Sequence, residues 1–139
     1  RRACARFRHV PVAMMNFVEG TRFTPAKHDA QSAPYRHLLR PRAGALAYVL
    51  DAMGDVLDAM LDVTIVYPQG RPSILDLTAG RAREVRVDVC ELPIAPALIG
   101  AGEEDPAFRG RVKRFLAERW EVKDALFERM LDEAKANGD

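Results

Sequence analysis

Val12-Ala13-Met14-Met15-Asn16-Phe17-Val18-Glu19-Gly20-Thr21-Arg22 is the stretch on which the fold turns. Seven nearly unbroken apolar residues match the length of a strand buried on both faces, the pattern of a parallel sheet. The run stops abruptly at a polar loop, Glu19-Gly20-Thr21-Arg22-Phe23-Thr24-Pro25, which holds one glycine. A loop at the end of a buried strand is where α/β proteins commonly place ligand sites. The glycine lets the backbone bend sharply and turn N–H groups toward an anion. An arginine two residues later offers a planar fork of donors that fits phosphate oxygens. Glu19 then orients that arginine or ties down the loop, and Thr21 caps the loop or donates to the ligand. An ordinary local ion pair between Glu19 and Arg22 is the plainer reading of the same residues.

Outward from this stretch, the expected architecture is α/β. A helix over Arg2 to His9 ends at Val10-Pro11, because proline removes a donor and constrains the residue before it. Lys27 to Pro41 is polar and broken by Pro34 and Pro41, and reads as loop with at most one helical turn. Ala43 to Met53 is helix-forming and Gly54 stands where a helix stops, with one more turn over Val56 to Met60. Leu61 to Tyr67 is rich in β-branched residues and ends at Pro68, a second strand. Ser73 caps a short helix through Leu77, closed by Gly80. Arg83 to Leu92 alternates charged and apolar residues, the period of a half-exposed edge strand. After a Pro/Gly/Ala-rich connector, Asp105-Pro106 supplies an N-cap and first-turn proline for the longest helix. Phe108, Val112, Phe115, Leu116, Val122, Leu126, Phe127, Met130 and Leu131 give it an apolar face. That face, with Trp120, packs on a sheet or lies at a bilayer interface. Asn137-Gly138-Asp139 reads as its stop.

The chain has 139 residues, 48% of them apolar and 29% charged, which fits one domain and excludes disorder. The longest unbroken apolar run, Ala43 to Leu50, is far short of the roughly 20 residues needed to span a bilayer. No signal peptide is visible at the N-terminus. Two cysteines, Cys4 and Cys90, are too few for a disulfide framework and fit buried or free thiols. An initial Arg1 in place of Met reads as a piece of a longer protein. The net charge of +1 conceals an asymmetry: residues 1–48 carry nine basic side chains against Glu19 and Asp29. That first third is +7 and the remainder −6, which points to an anionic partner docking on the basic part. Nucleic acid is the weaker version of that partner, since no helix-turn-helix, zinc finger or aromatic-basic motif is present.

Phe17-Val18-Glu19-Gly20-Thr21-Arg22 resembles the phosphate-binding motif of the glycerolipid acyltransferases, the family typified by 1-acyl-sn-glycerol-3-phosphate (lysophosphatidate) acyltransferase. Val18 stands where that family often has proline. Three further segments follow the family's order: Leu38-Leu39-Arg40-Pro41-Arg42, Asp62-Val63-Thr64-Ile65-Val66-Tyr67-Pro68 and Trp120-Glu121-Val122-Lys123-Asp124-Ala125-Leu126. The likeness is to the branch that includes bacterial inner-membrane members and multi-span animal enzymes. It implies residues 1–139 are a single domain, the C-terminal part of such an acyltransferase. The strand and Glu-Gly-Thr-Arg loop then span 12–25, and a long amphipathic helix spans 105–136 beside a partial acyltransferase-type sheet.

The implied activity is phospholipid biosynthesis: 1-acylglycerol-3-phosphate O-acyltransferase chemistry, with acyl-CoA or acyl-carrier protein as co-substrate and no other cofactor. Glu19, Gly20, Thr21 and Arg22 then hold the acceptor phosphate. Lys27, Arg40 and Arg42 supplement them or form a basic patch facing anionic lipid. The family's catalytic His-x4-Asp is missing. His9, His28 and His37 are followed five residues on by Met14, Ala33 and Arg42. This chain by itself is therefore expected to be inactive, and the whole protein to work at the cytoplasmic face of the inner membrane while the piece is soluble. His28 and His37 read as solvated loop residues and His9 as a favourable partner for a helix dipole. No histidine has metal-ligand spacing, so no metal is expected. An uncovered strand edge and apolar surface predict self-association, most simply a homodimer. The competing reading is a non-catalytic anion-binding module for lipid headgroups or nucleic acid.

Overall fold

Asp105 opens the longest element as its residues require. Its carboxylate accepts from the backbone N–H groups of Ala107 and Phe108 at 2.9 and 3.3 Å, and Pro106 occupies the first turn. In this computed structural model, which describes residues 11–100, 102 and 105–137, that helix runs Pro106–Ala136. The expected helix over residues 2–9, His9 as its dipole partner, Cys4 and the Gly138-Asp139 stop lie outside the described residues.

The other elements, in order, are α1 (Pro25–Gln31), α2 (Ala43–Met53), β1 (Met60–Val66), α3 (Ile74–Thr78) and β2 (Arg86–Leu92). A 3-10 turn at Pro96–Leu98 then leads to the long helix, here α4. Phe108, Val112, Leu116 and Trp120 lie four apart and form one buried ridge on α4. Val122, expected on that face, is exposed instead, because two residues beyond Trp120 the helix has rotated by roughly 200°. The ridge packs against Leu46, Ala47 and Leu50 of α2, Leu98 of the 3-10 turn, and Tyr35 and Leu38. Phe108 and Trp120 are thus core residues, and Phe115 packs half-buried against them; the packed reading of the helix is the one taken.

The α2 bounds match the expected ones, and the connector is more than a tether. Gly54 ends α2, where an added Cβ would come within 2.5 Å of the Leu50 carbonyl. The Gly102 N–H returns to Asp51 Oδ1 at 2.8 Å, so the connector folds back on that helix end. No helical turn covers residues 57–60; Met60 already begins β1. The expected loop after Lys27 gives way to α1, whose first residues carry the signal. Thr24 caps it through the Lys27 N–H and Pro25 supplies the fixed φ.

The sheet corrects two expectations. β1 and β2 pair antiparallel, Met60 opposite Leu92 and Val66 opposite Arg86, so no parallel ladder exists among the described residues. Residues 12–18 are not a buried strand: they form no ladder, and Met15 and Phe17 are 84% and 79% exposed. A strand buried on both faces needs hydrogen-bonded neighbours, and among the described residues β1 and β2 are partnered only with each other. The arrangement is α/β in composition: a two-stranded sheet, short helices and a long C-terminal helix. Alternation along the strands turns Asp62, Thr64 and Val66 inward. Leu61, Val63, Ile65, Val87 and Val89 face outward, with Val63 opposite Val89 and Ile65 opposite Val87.

Candidate functional site

A tight turn closes at Gly20, whose N–H donates to the Phe17 carbonyl at 2.8 Å while its φ is +69°. A side chain is disfavoured there by that backbone conformation. Space argues the same way: a Cβ would lie 3.3 Å from Cδ of Arg42, whose side chain crosses the glycine. Arg42 also donates its backbone N–H to the Val18 carbonyl at 2.7 Å, holding the turn from the far side. Thr21 and Arg22 follow on the open side. Lys27, from the first turn of α1, donates its Nζ to Thr21 Oγ1 at 2.6 Å and to the Arg22 carbonyl at 3.3 Å.

The Arg22 side chain is exposed and pairs with none of the described carboxylates. The local Glu19–Arg22 ion pair therefore does not form. Glu19 ties down the loop instead: half-buried, its carboxylate accepts from the Leu39 backbone N–H and faces Arg71 and Lys123. Burial raises the carboxyl pKa, and that outweighs the lowering by the Leu39 bond and the two cations.

Of the auxiliary basic residues, Lys27 and Arg42 sit at the turn. Arg40 is turned away to cap α1, its Nε and Nη2 donating to the carbonyls of Gln31 and Ser32 at 2.9 and 2.7 Å. Arg71 takes a place that the sequence reading did not assign. It follows a second glycine turn, Tyr67 to Gly70, closed by a 3.0 Å bond, with Gly70 at φ +95°. Its guanidinium lies 4.1 Å above the Phe23 ring and donates to the Phe23 carbonyl. The signal was present as Gln69-Gly70-Arg71, a glycine followed at once by an arginine after a strand, where Gly20 and Arg22 stand two apart after an apolar run. At the turn, then, the Arg22 guanidinium is unpaired among the described residues, Arg42 lies against Gly20, and Lys27 and Arg71 are bonded to the loop itself. That is a constellation for a multiply charged oxyanion.

The four segments that carry the resemblance converge behind this turn. Leu39 donates to Glu19 and its carbonyl accepts from Trp120 Nε1 at 3.0 Å. Asp62 accepts from Arg119 at 3.0 Å and from Lys123 at 2.5 Å, and Lys123 also donates to the Val63 carbonyl at 2.8 Å. Burial pushes the Asp62 carboxyl up, but the bonds and charges of Lys123 and Arg119 together outweigh it and hold the carboxyl below its ordinary range. Asp124 accepts from the backbone N–H groups of Arg36 and His37 at 2.7 and 2.8 Å. His37 is not solvated: it stacks on Phe127 with centroids 4.8 Å apart and pairs with Glu128. His28 is likewise partly buried, its Nε2 at 2.6 Å from the Tyr35 carbonyl. Among the described residues no three His, Cys, Asp or Glu side chains are grouped to hold a metal ion, and no helix is long and apolar enough to cross a membrane.

The chain is 27% identical over 140 residues to lysocardiolipin acyltransferase 1 of Gallus gallus, covering 91% of this chain and 35% of that protein. To lysocardiolipin acyltransferase 1 of Danio rerio it is 29% identical over 134 residues, 88% of this chain and 32% of the other. To 1-acyl-sn-glycerol-3-phosphate acyltransferase epsilon of Mus musculus it is 25% identical over 142 residues, 88% and 37%. The chain spans about a third of the length of these relatives. No family model matches it, and no solved structure does. These relatives are named as acyltransferases, two of lysocardiolipin and one of 1-acyl-sn-glycerol-3-phosphate, and over some nine-tenths of its length this chain is similar to glycerolipid acyltransferases.

Proposed function

We propose that this chain supplies the acceptor-phosphate part of a phospholipid-biosynthesis acyltransferase working on lysophosphatidate. The reading rests above all on Arg22, an unpaired guanidinium set on a glycine turn beside Lys27, Arg42 and Arg71. In the reaction the free hydroxyl of the acceptor attacks the thioester carbonyl of acyl-CoA or acyl-carrier protein. A C–O bond forms, the C–S bond breaks, and the hydroxyl proton ends on the departing thiol. Residues of this chain take the binding share of that work. Arg22 grips the phosphate, Gly20 opens the backbone to it, and Lys27 holds Thr21 in place. A His-x4-Asp pair to move the proton is absent from the 139 residues, so the chain alone does not turn over. The whole protein works at the cytoplasmic face of the inner membrane, where acceptor and product reside.

Titration calorimetry with lysophosphatidate kept below its micelle concentration tests this. The chain binds lysophosphatidate and not an uncharged monoacylglycerol, and Arg22→Ala weakens binding about 10- to 100-fold, the range of a lost charge-assisted bond. Arg22→Lys retains part of the affinity, since it keeps the charge and loses the fork. Unchanged affinity in Arg22→Ala refutes the assignment. Inorganic phosphate bound as tightly as lysophosphatidate indicates a plain anion-binding module instead.

A further inference from the structure

α3 is a helix of five residues whose aliphatic side chains touch no core. Ile74, Leu75 and Leu77 are 68%, 74% and 47% exposed. So short a helix is not stable by propensity alone, and here polar groups hold it. Ser73 and Asp76 form a reciprocal capping box, with bonds of 3.0, 3.1 and 2.6 Å. Arg81 closes it from the other end, its side chain reaching Asp76 Oδ1 at 3.1 Å and its backbone N–H reaching the Asp76 carbonyl at 2.8 Å. The scaffold therefore fixes three large apolar side chains outward instead of burying them. The charge around them is one-sided. Arg71 precedes the helix, Arg81 and Arg83 follow it, and Arg83 is exposed and pairs with none of the described carboxylates. The two acids in this stretch, Asp76 and Glu84, are both neutralised, by Arg81 and Arg86.

We infer that residues 71–83 dock on an anionic lipid surface, with Ile74, Leu75 and Leu77 entering the headgroup–acyl boundary and Arg81 and Arg83 resting on phosphates. Apolar side chains exposed on a short ordered helix, in a stretch where Arg71, Arg81 and Arg83 outnumber the one acid, Asp76, are complementary to an anionic interface, apolar below and negative at its rim. A second copy of this chain lacks that complementarity, since it would set arginines against arginines. Arg71 joins this surface to the proposed acceptor site: it reaches back over Phe23, three residues before the first inserted side chain. A lipid whose phosphate sits at the Gly20 turn thus approaches from the same side as its membrane. The inference extends the lipid-acceptor reading and does not depend on Arg22.

Flotation of the 139-residue chain with two kinds of vesicle tests it: phosphatidylcholine alone, and an equal mixture of phosphatidylcholine and phosphatidylglycerol. The chain floats with the mixed vesicles and much less with the neutral ones, and raised salt releases it. Leu75→Asp lowers the partition coefficient at least about tenfold through lost apolar burial. Arg83→Gln lowers it about fivefold, the Boltzmann factor for roughly 1 kcal/mol per basic residue at the surface. Both side chains are exposed, so thermal melting is unchanged. Arg22→Ala still floats while losing lysophosphatidate in calorimetry, which separates this surface from the acceptor site. Absence of flotation, equal flotation of Leu75→Asp, or a change of sedimentation coefficient in that variant without loss of flotation overturns the inference.

Discussion

Replacing Lys123 by methionine keeps the length of the side chain and removes the charge that Asp62 is built around. Lys123 is 11% exposed and Asp62 16%, so their pairing is screened little by water. Three bonds meet there: Lys123 Nζ to Asp62 Oδ1 at 2.5 Å, Lys123 Nζ to the Val63 carbonyl at 2.8 Å, and Arg119 Nη2 to Asp62 Oδ2 at 3.0 Å. Taking one partner from a buried pair costs about 3–5 kcal/mol when the other is left alone. Asp62 keeps Arg119, so the expected loss falls just below that range, about 2–3 kcal/mol. For a chain of this size each kcal/mol moves the melting temperature by about 4 °C, so Lys123→Met melts about 10 °C lower. Urea and thermal denaturation followed by circular dichroism measure this.

Acid supplies a second check. The Asp62 carboxyl titrates below its ordinary value, so its contribution is full above the unfolded pKa of about 3.9 and is lost as pH falls through the folded pKa. Removing Lys123 shrinks that contribution, so the gap between parent and variant is widest near neutrality and narrows below pH 4 or so. The cycle completed by Asp62→Asn and the double variant gives a coupling of at least about 1 kcal/mol. A stability change under about 0.5 kcal/mol, or a gap independent of pH, refutes the view that this pair fastens the sheet to the long helix.

Other outcomes follow from the same geometry. Glu19→Gln keeps an acceptor for Leu39 and removes a desolvated charge, so it stabilises at pH 7 by up to about 1 kcal/mol. That gain vanishes as pH falls through the raised Glu19 pKa and the parent carboxyl takes its proton; destabilisation at neutral pH contradicts this. Gly20→Ala places a Cβ at φ +69° and against Arg42, costing roughly 1–2 kcal/mol by denaturation and weakening phosphate binding in calorimetry. Self-association through the outward face of Leu61, Val63, Ile65, Val87 and Val89 is the expected outcome of that exposed apolar surface. Sedimentation velocity then gives a dimer that Val63→Asp returns to monomer, and a clean parent monomer at high concentration contradicts it.

What could be read from the sequence is what local chemistry decides. Asp105-Pro106 and Ser73 place their helices because the cap and the first orphan N–H groups are neighbours in the chain. The pairing of residues 60–66 with 86–92 declares itself only as two separate strand patterns, and nothing local says that they run antiparallel. The apolar run at residues 12–18 shows the limit of composition: it matches a buried strand, but a strand also needs neighbours. Thr24-Pro25 carried a helix start of the same kind as Asp105-Pro106, hidden by the polar residues after it. At the candidate site the glycine bend and the exposed Arg22 were legible. Arg71 over Phe23, Arg40 on the end of α1 and His37 on Phe127 were not, because each partner is distant in sequence or lies on an element fixed only by tertiary packing.

The bonds that brace the turn at Gly20 span most of the chain: Trp120 to Leu39 across 81 residues, Asp124 to Arg36 across 88 and His37 to Glu128 across 91. During synthesis, therefore, the turn at Gly20 leaves the ribosome long before the helix that braces it exists. Until residues 120–128 have emerged, that turn lacks these contacts, and it gains them only when the last helix docks. A chain interrupted ahead of Trp120 keeps the Gly20 turn and loses all three of its distant supports.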